Sequence, residues 1–441
     1  MGQISKTLKK RDLYLNQLIS FQDTEPVKVI TGIRRCGKSS LMKLMIQHLK
    51  EEGVTEEQFI IMNFESMVFY GMDQIGLYQY VKNRVCPDKQ MYLFFDEVQR
   101  VPNWQDAINS FRVDFDADIY VTGSNAYLLS SEISTYLAGR FVEIKMLPLS
   151  FREFLDFNDY IVKEYKTPSG KIKKRIINEK EEIFEIDDLL ETYMMYGGMP
   201  GITDVGLEQD KVLTILDGVY STIVVRDILE RELRRGQRKI TDAELLRKII
   251  MFLADNIGNN VSLNSIGNTL VNENLLENRS KQGKPAVQTI QSYVTALLES
   301  YVFYEIKRFD IKGKDYLRTL GKYYIVDLGL KNYLLGYRRV DSGHDIENMV
   351  YFELRRRGYD VAIGKIDNKE IDFIATKATV KKYIQVTERM DEESTYEREL
   401  YPLRAVRDNH EKIVIQRYGA SGLTDDGIKI INLCDFLLLE E

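Results

Sequence analysis

Apolar and polar residues alternate along the first third of the chain in blocks rather than singly. Val27-Lys28-Val29-Ile30-Thr31, Phe59-Ile60-Ile61-Met62, Tyr92-Leu93-Phe94-Phe95, Ile119-Tyr120-Val121-Thr122 and Phe141-Val142-Glu143-Ile144 are short, mostly apolar runs bounded by Gly, Asp or Asn. Runs of this kind predict strands buried on both faces. Helix-length segments separate them, which predicts βαβ units and a doubly wound parallel sheet. From 185 to 255 the apolar spacing changes to three and four, as at Leu189, Tyr193 and Tyr196, and predicts helices. A polar stretch, Lys163 to Lys180, interrupts the two regions as an exposed hairpin or insertion.

Further on, Leu263–Leu270 and Pro285–Leu298 read as short helices, followed by strands at Val302–Arg308, Tyr316–Leu320 and Lys322–Val326. That order predicts a winged helix, with Val287, Ile290, Val294 and Leu297 as the inward stripe of its second helix. An amphipathic helix at Ile346–Arg357 and strands at Asp360–Lys365, Ile371–Ala375, Lys382–Thr387 and Lys412–Gln416 predict a final mixed α/β domain. The expected divisions are 1–155, a nucleotide-binding core; 156–255, a helical lid or linker; 256–339, the winged helix; and 340–441, the last domain.

Length and composition agree with several globular domains: 441 residues, 44% hydrophobic and 29% charged. Three cysteines without a C-x-x-C pair exclude a disulfide framework and a zinc ribbon, and three histidines argue against a His-based metal site. No run approaches the roughly 20 uncharged apolar residues of a membrane span. The charged N-terminus also lacks a signal-peptide core, so the expectation is a cytoplasmic protein with no membrane contact. Net charge is −6. Within that acidic chain, residues 226–360 carry 23 Lys and Arg against 18 Asp and Glu. The excess clusters at Arg231–Lys239, at Arg279, Lys281 and Lys284, at Lys307–Arg318 and at Arg355–Arg357.

Gly32-Ile33-Arg34-Arg35-Cys36-Gly37-Lys38-Ser39 fits G-x-x-x-x-G-K-[ST] and lies between a predicted strand and the helix that Ser40 opens. Gly32 and Gly37 let successive N–H groups turn toward phosphates, and the helix N-terminus adds partial positive charge. Lys38 then reaches the β- and γ-phosphates of ATP, while Ser39 supplies an oxygen to Mg²⁺. Asp96-Glu97 closes an apolar strand and completes the site. Asp96 would hold Mg²⁺ through water, and Glu97 would polarise the attacking water, which argues for hydrolysis rather than binding alone. Ser124-Asn125 follows the next strand and would hold the lytic water or read the γ-phosphate, the plain alternative being a turn. Arg140 precedes the fifth strand and would project toward a neighbouring subunit, the alternative being a surface ion pair.

The motifs GIRRCGKSS, YLFFDEVQRVPNW and DIYVTGSNAYLLSSEISTYLAGRFVEIKMLPLSFREFL, with YMMYGGMPG and STIVVRDILER beyond them, resemble those of AAA-type ATPases of bacteria and archaea that carry a C-terminal domain of uncharacterised function. The resemblance implies that Lys38, Ser39, Asp96 and Glu97 are nucleotide and Mg²⁺ residues. It makes Asn125 a sensor and Arg140 an arginine finger acting in a homo-oligomer, a hexameric ring being one form. The tail, with IENMVYFELRRRGYDV, KEIDFIA and KKYIQVTERM, also resembles restriction-endonuclease-like nucleases. Glu347, Asp372 and Gln385 fall at the positions of that site, but Gln385 replaces its second acid and Thr387 its lysine. The resemblance therefore implies a degenerate domain that binds duplex or branched DNA without cutting it. Candidate DNA contacts are Lys284, Gln288, Lys312, Lys314, Arg355 and Arg356. The leading expectation is an oligomeric DNA-binding motor. The alternatives are a nucleotide-gated switch or scaffold for a protein partner and an ATP-dependent nuclease.

Overall fold

The computed structural model describes residues 8–123, 139–167, 170, 172–223, 228–229, 240, 242–272, 286–311, 313, 315–338 and 342–439. The chain divides into two compact units, Met1–Met146 with Glu299–Tyr301, and Leu147–Leu298 with Val302–Glu441.

In the first unit, β1 (Val27–Thr31), β2 (Phe59–Asn63), β3 (Met91–Asp96), β4 (Ala117–Thr122) and β5 (Phe141–Lys145) form one sheet in the order β2-β3-β4-β1-β5. Every pairing in it is parallel. β1 and β3 are buried along their whole length, as their apolar runs require. Helices Lys38–Glu51, Gln74–Lys82 and Trp104–Asp114 supply the crossovers. Leu77, Val81, Ile108 and Phe111 from the last two pack with Val27, Val29, Leu93 and Phe95 into one apolar cluster. Because β4 lies between β1 and β3, the C-terminal ends of these three strands are neighbours. The β1 carboxyl end faces the crevice that such sheets use for ligands.

The other end of β1 carries a buried ion pair between Lys28 and Asp118. Burial pulls the Lys28 ammonium below its ordinary pKa, and Asp118 works in the opposite direction. The Asp118 carboxylate also accepts from Tyr120 Oη at 2.7 Å and from the Asp23 N–H at 2.9 Å. Its lone pairs are therefore met on several sides, which is the condition under which a buried pair tolerates loss of water.

In the second unit, Phe151–Phe157 opens the chain with a capping box in which Ser150 Oγ accepts from the Glu153 N–H at 3.0 Å. The polar stretch 163–180 lies in a small antiparallel sheet of β6 (Ile161–Lys166), β7 (Ile172–Ile177) and β8 (Ile183–Phe184), as its reading as a hairpin anticipates. Helices Ile186–Tyr196, Gln209–Thr222 and Ala243–Asp255 follow. Then come β9 (Asn260–Val261), helices Leu263–Asn272 and Val287–Glu299, β10 (Phe303–Asp310) and β11 (Asp315–Ile325). Ile290, Val294 and Leu297 are buried as expected, whereas Val287 is 40% exposed at the helix start, where no element covers it among the described residues.

One expectation changes here. The separate strands expected at 316–320 and 322–326 are one strand, because Gly321 continues the ladder opposite Val261. The same sheet takes in the strands of the tail. β10 pairs in parallel with β12 (Asp360–Ile366), so β9, β10 and β11 continue into the strands of the tail. Among the described residues the sheet has nine strands, adding β13 (Lys369–Lys377), β14 (Val380–Thr387), β15 (Glu411–Gln416), β16 (Gly422–Leu423) and β17 (Lys429–Asn432). Helix Ser342–Arg356 precedes β12, and helix Glu393–Ala405 joins β14 to β15. β12 to β14 are antiparallel, and β14 to β15 is parallel. Between Ala362 and Gly364 the β12–β13 register shifts, which places the bulge of β13 beside Asp372.

Candidate functional site

The phosphate loop is shaped by two glycines. Gly32 has φ +136° and Gly37 φ +105°, left-handed values that side chains resist. A Cβ at Gly32 would also sit 2.1 Å from the Met146 carbonyl oxygen, so this position excludes every other residue on space alone. Gly37 caps helix Lys38–Glu51, which points the helix N–H groups into the loop. Lys38 is buried, and its ammonium donates to the Gly32 carbonyl at 2.9 Å and the Ile33 carbonyl at 3.0 Å. The loop is braced from outside by Arg11, whose guanidinium donates to the Cys36 carbonyl at 3.1 Å. Arg34 pairs with Glu65 at 2.5 Å. Ser39 and Ser40 lie exposed in the first turn of the helix.

Asp96 ends β3 and Glu97 follows it in the left-handed region, φ +57°. Both are nearly buried, at 9% and 8% exposure. Two residues that the sequence reading did not single out hold them. Asn63, opposite Asp96 at the end of β2, donates its amide N–H to Asp96 Oδ2 at 3.0 Å. Thr122, at the end of β4, donates its hydroxyl to Asp96 Oδ1 at 2.5 Å, and the same oxygen accepts the Glu97 N–H at 3.0 Å. Gln99 donates its amide to Glu97 Oε2 at 2.6 Å. The available signal was a polar residue closing each apolar strand, in FIIMN and ADIYVT. Asp96 is thus held as an acceptor one strand away from the loop strand, across β4, and Glu97 is turned away from the β3 ladder with one oxygen tied to Gln99. A lysine, a serine hydroxyl, a carboxylate and a helix N-terminus fit a Mg-nucleotide in donor type and charge.

Arg140 is exposed, and its carbonyl accepts the Val27 N–H at 3.0 Å. Its backbone therefore lies at the opposite end of β1 from the loop, roughly 16 Å away for five strand residues. Ser124 and Asn125 lie outside the described residues.

In the second unit, the structure brings Glu347, Asp372 and Gln385 together. Asp372 Oδ2 accepts the Val386 N–H at 2.8 Å, and Gln385 Oε1 accepts the Asp372 N–H at 3.4 Å. Burial and the nearby Glu347 push the Asp372 pKa well above the carboxylate range, against Lys322. Burial also opposes ionisation of Glu347, but His344, Lys322 and Tyr324 outweigh it and hold this carboxyl low.

The expected DNA contacts fare differently. Arg356 and Arg357 are not open to a groove: both pair with Glu353, at 2.7 and 3.0 Å, because it lies three and four residues earlier on the same helix face. Arg356 also donates to the Pro148 carbonyl at 2.8 Å and Arg357 to the Phe436 carbonyl at 2.6 Å. Arg355 is partly exposed, pairs with Asp360 at 3.0 Å, and lines a cleft of about 690 Å³ with Lys307, Phe309 and Lys381. Gln288 is exposed on its helix. Lys284, Lys312 and Lys314 lie outside the described residues.

A five-stranded parallel sheet with this loop and this acidic strand end defines an AAA-type P-loop domain, and residues 24–155 match the family model described as "AAA domain". Residues 187–341 match a domain of unknown function, DUF8612. The chain is 37% identical over 437 residues to an uncharacterized protein of Haemophilus influenzae, covering 99% of this chain and 100% of that one, and it belongs to the same family. An uncharacterized protein of Methanocaldococcus jannaschii is 29% identical, over 93% of this chain and 87% of its own. Among solved structures, a Walker-type ATPase of Pyrococcus abyssi matches at 15% identity and a TM-score of 0.47, over 75% of this chain and 97% of that one. The Orc1 protein of Aeropyrum pernix in complex with DNA matches at 14% and 0.32, over 74% and 92%.

Lys38→Ala removes the one cation of the loop that lies inside its curve, so ATP binding is expected to be lost. Glu97→Gln leaves Asp96, Asn63 and Thr122 in place, so ATP should bind as in the parent while turnover falls roughly 10²–10⁴-fold. Affinity for a fluorescent ATP and phosphate release measured on both variants check the assignment. Normal turnover by Glu97→Gln would remove the catalytic role from this residue.

Proposed function

We propose that the protein is a Mg²⁺-dependent ATPase, and that it works as an oligomeric DNA-binding motor on duplex or branched DNA. The observation that carries the ATPase reading is the division of labour at the β3 end. Asp96 is held by two donors, and Glu97 is turned aside from it with an oxygen tied to Gln99. In this reading Lys38 exchanges the carbonyls of Gly32 and Ile33 for phosphate oxygens, and the N–H groups after Gly37 take the β-phosphate. Ser39 and, through water, Asp96 would hold Mg²⁺, which would supply charge neutralisation at the transferring phosphoryl group. Glu97 accepts the proton of the attacking water, and its near burial strengthens that interaction. Asn125 senses the γ-phosphate. Arg140, at the wrong end of β1 for its own loop, serves the loop of a neighbouring subunit, which makes a homo-oligomer such as a hexameric ring necessary for full activity.

The DNA reading is supported by the basic excess of 226–360 in an acidic chain and by the helix, strand, helix, helix, strand, strand order from 243 to 325. Gln288 and Gln291 are exposed on the helix that would face a groove. Arg355, with Lys307 and Lys381, remains a phosphate contact in this reading, whereas Arg356 is withdrawn. A nucleotide-gated switch for a protein partner is favoured by one observation: several cations of that region are consumed internally. Lys331 pairs with Asp345 at 2.5 Å, and Arg356 and Arg357 with Glu353.

ATP turnover measured with and without duplex or branched DNA separates the two readings. The motor reading predicts stimulation that fades steeply with salt, since each neutralised phosphate releases counterion. Unchanged turnover and no DNA binding at low salt would favour the switch. For the shared site, mixing Arg140→Ala with Lys38→Ala protein should restore part of the turnover that each lacks. Full activity from a strictly monomeric chain would contradict a role in trans.

A further inference from the structure

Three carboxylates, Glu347, Glu370 and Asp372, gather around a lysine from another part of the chain, with the turn at Gly258 over Glu347. Lys322 of β11 is 5% exposed, with Nζ 3.0 Å from Glu347 Oε1 and 2.7 Å from Glu370 Oε1. Asp372 is two residues beyond Glu370, at the bulge of β13. Glu347 is buried and Glu370 and Asp372 are half-buried, so their charges need a cation nearby, and either a divalent metal or an ammonium can supply it.

The donor set answers which. Glu347 Oε1 receives both the Lys322 ammonium and the Tyr324 hydroxyl. Glu347 Oε2 lies 3.5 Å from His344 Nδ1 and is roofed by Gly258, where a Cβ would come within 3.2 Å of it. Asp372 Oδ2 is taken by the Val386 N–H, and Gln385 Oε1 faces the Asp372 N–H. Arg308 adds a second cation 3.9 Å from Glu370 Oε2. Mg²⁺ demands several free oxygens in a near-octahedral shell. Among the described residues no group of three acidic, histidine or cysteine side chains is arranged to hold an ion. The residues therefore do not fit the metal that a nuclease-like domain implies.

We propose that Lys322 is the resident cation of this cluster, taking the place of a divalent metal and locking helix Ser342–Arg356 to β11 and β13. The inference rests on the cluster itself and stands whether or not the chain binds DNA. It also explains the lysine missing at Thr387: the ammonium arrives from β11 instead of β14 and is committed to the carboxylates rather than to a phosphodiester.

The test uses the full chain without nucleotide and with MnCl₂ as the probe. Isothermal titration of the parent and of Asp372→Asn should give the same Mn²⁺ uptake, because the cluster takes none. Lys322→Met should melt about 5–10 °C lower, and adding Glu347→Gln should recover part of that loss by removing the uncompensated charge. Should Lys322→Met alone fail to fold, a folded Lys322→Met/Glu347→Gln double variant supports the same conclusion. Mn²⁺ uptake by the parent that Asp372→Asn abolishes would overturn the proposal. So would a Lys322→Met protein as stable as the parent, or a double variant no better than the single one.

Discussion

One hydroxyl group ties the nucleotide site together. Thr122 donates to the Asp96 carboxylate and accepts from the Glu97 backbone, so a single oxygen at the end of β4 fixes two consecutive acids that point to different tasks. It reaches both because the sheet order inserts β4 between β1 and β3. Thr122 is opposite Ile30, two residues before the phosphate loop, and is fully buried. Without that hydroxyl the Glu97 N–H would be left without this acceptor in a dry place, at a cost of about 1–3 kcal/mol.

The second unit uses charge differently. Several of its cations are structural: Lys322 beside Glu347 and Glu370, Lys331 against Asp345, Arg356 and Arg357 around Glu353. Its buried carboxylate Asp327 accepts the Gly198 N–H at 2.6 Å and caps the helix that follows, and burial pushes its pKa up to about 6. Since that pKa lies above the unfolded value, the folded chain holds this proton more tightly. The part of stability owed to Asp327 is accordingly greatest in acid and declines as pH rises from about 4 to about 6. Buried ion pairs of this kind are costly to break, because losing one partner leaves an uncompensated charge. They also make formal charge in the sequence a poor guide to the charge a partner would meet.

What could be read in the sequence was what is written in contiguous residues. The loop from Gly32 to Ser39 and the Asp96-Glu97 pair depend on local spacing, and the five strands on local apolar runs. Asn63 and Thr122 depend on which strands become neighbours, and no spacing along the chain records that. Lys322 was hidden for the same reason, because only the parallel pairing of β10 with β12 brings β11 into the sheet of Asp372. Arg356 and Arg357 are the opposite case. Their partner Glu353 stands at helical spacing in ELRRR, and attention to that face would have removed them from the surface inventory.

Turnover by Thr122→Val as a function of Mg²⁺ tests this account most directly, with Thr122→Ser as the variant that keeps the hydroxyl. If the Thr122 oxygen sets Asp96 and Glu97, Thr122→Val should lower turnover roughly 10–100-fold and raise the Mg²⁺ needed for half-maximal rate. Thr122→Ser should stay near the parent, and ATP binding in EDTA, which relies on Lys38 and the loop, should persist in both. Parental turnover at an unchanged Mg²⁺ requirement in Thr122→Val would contradict the claim that this hydroxyl organises the site.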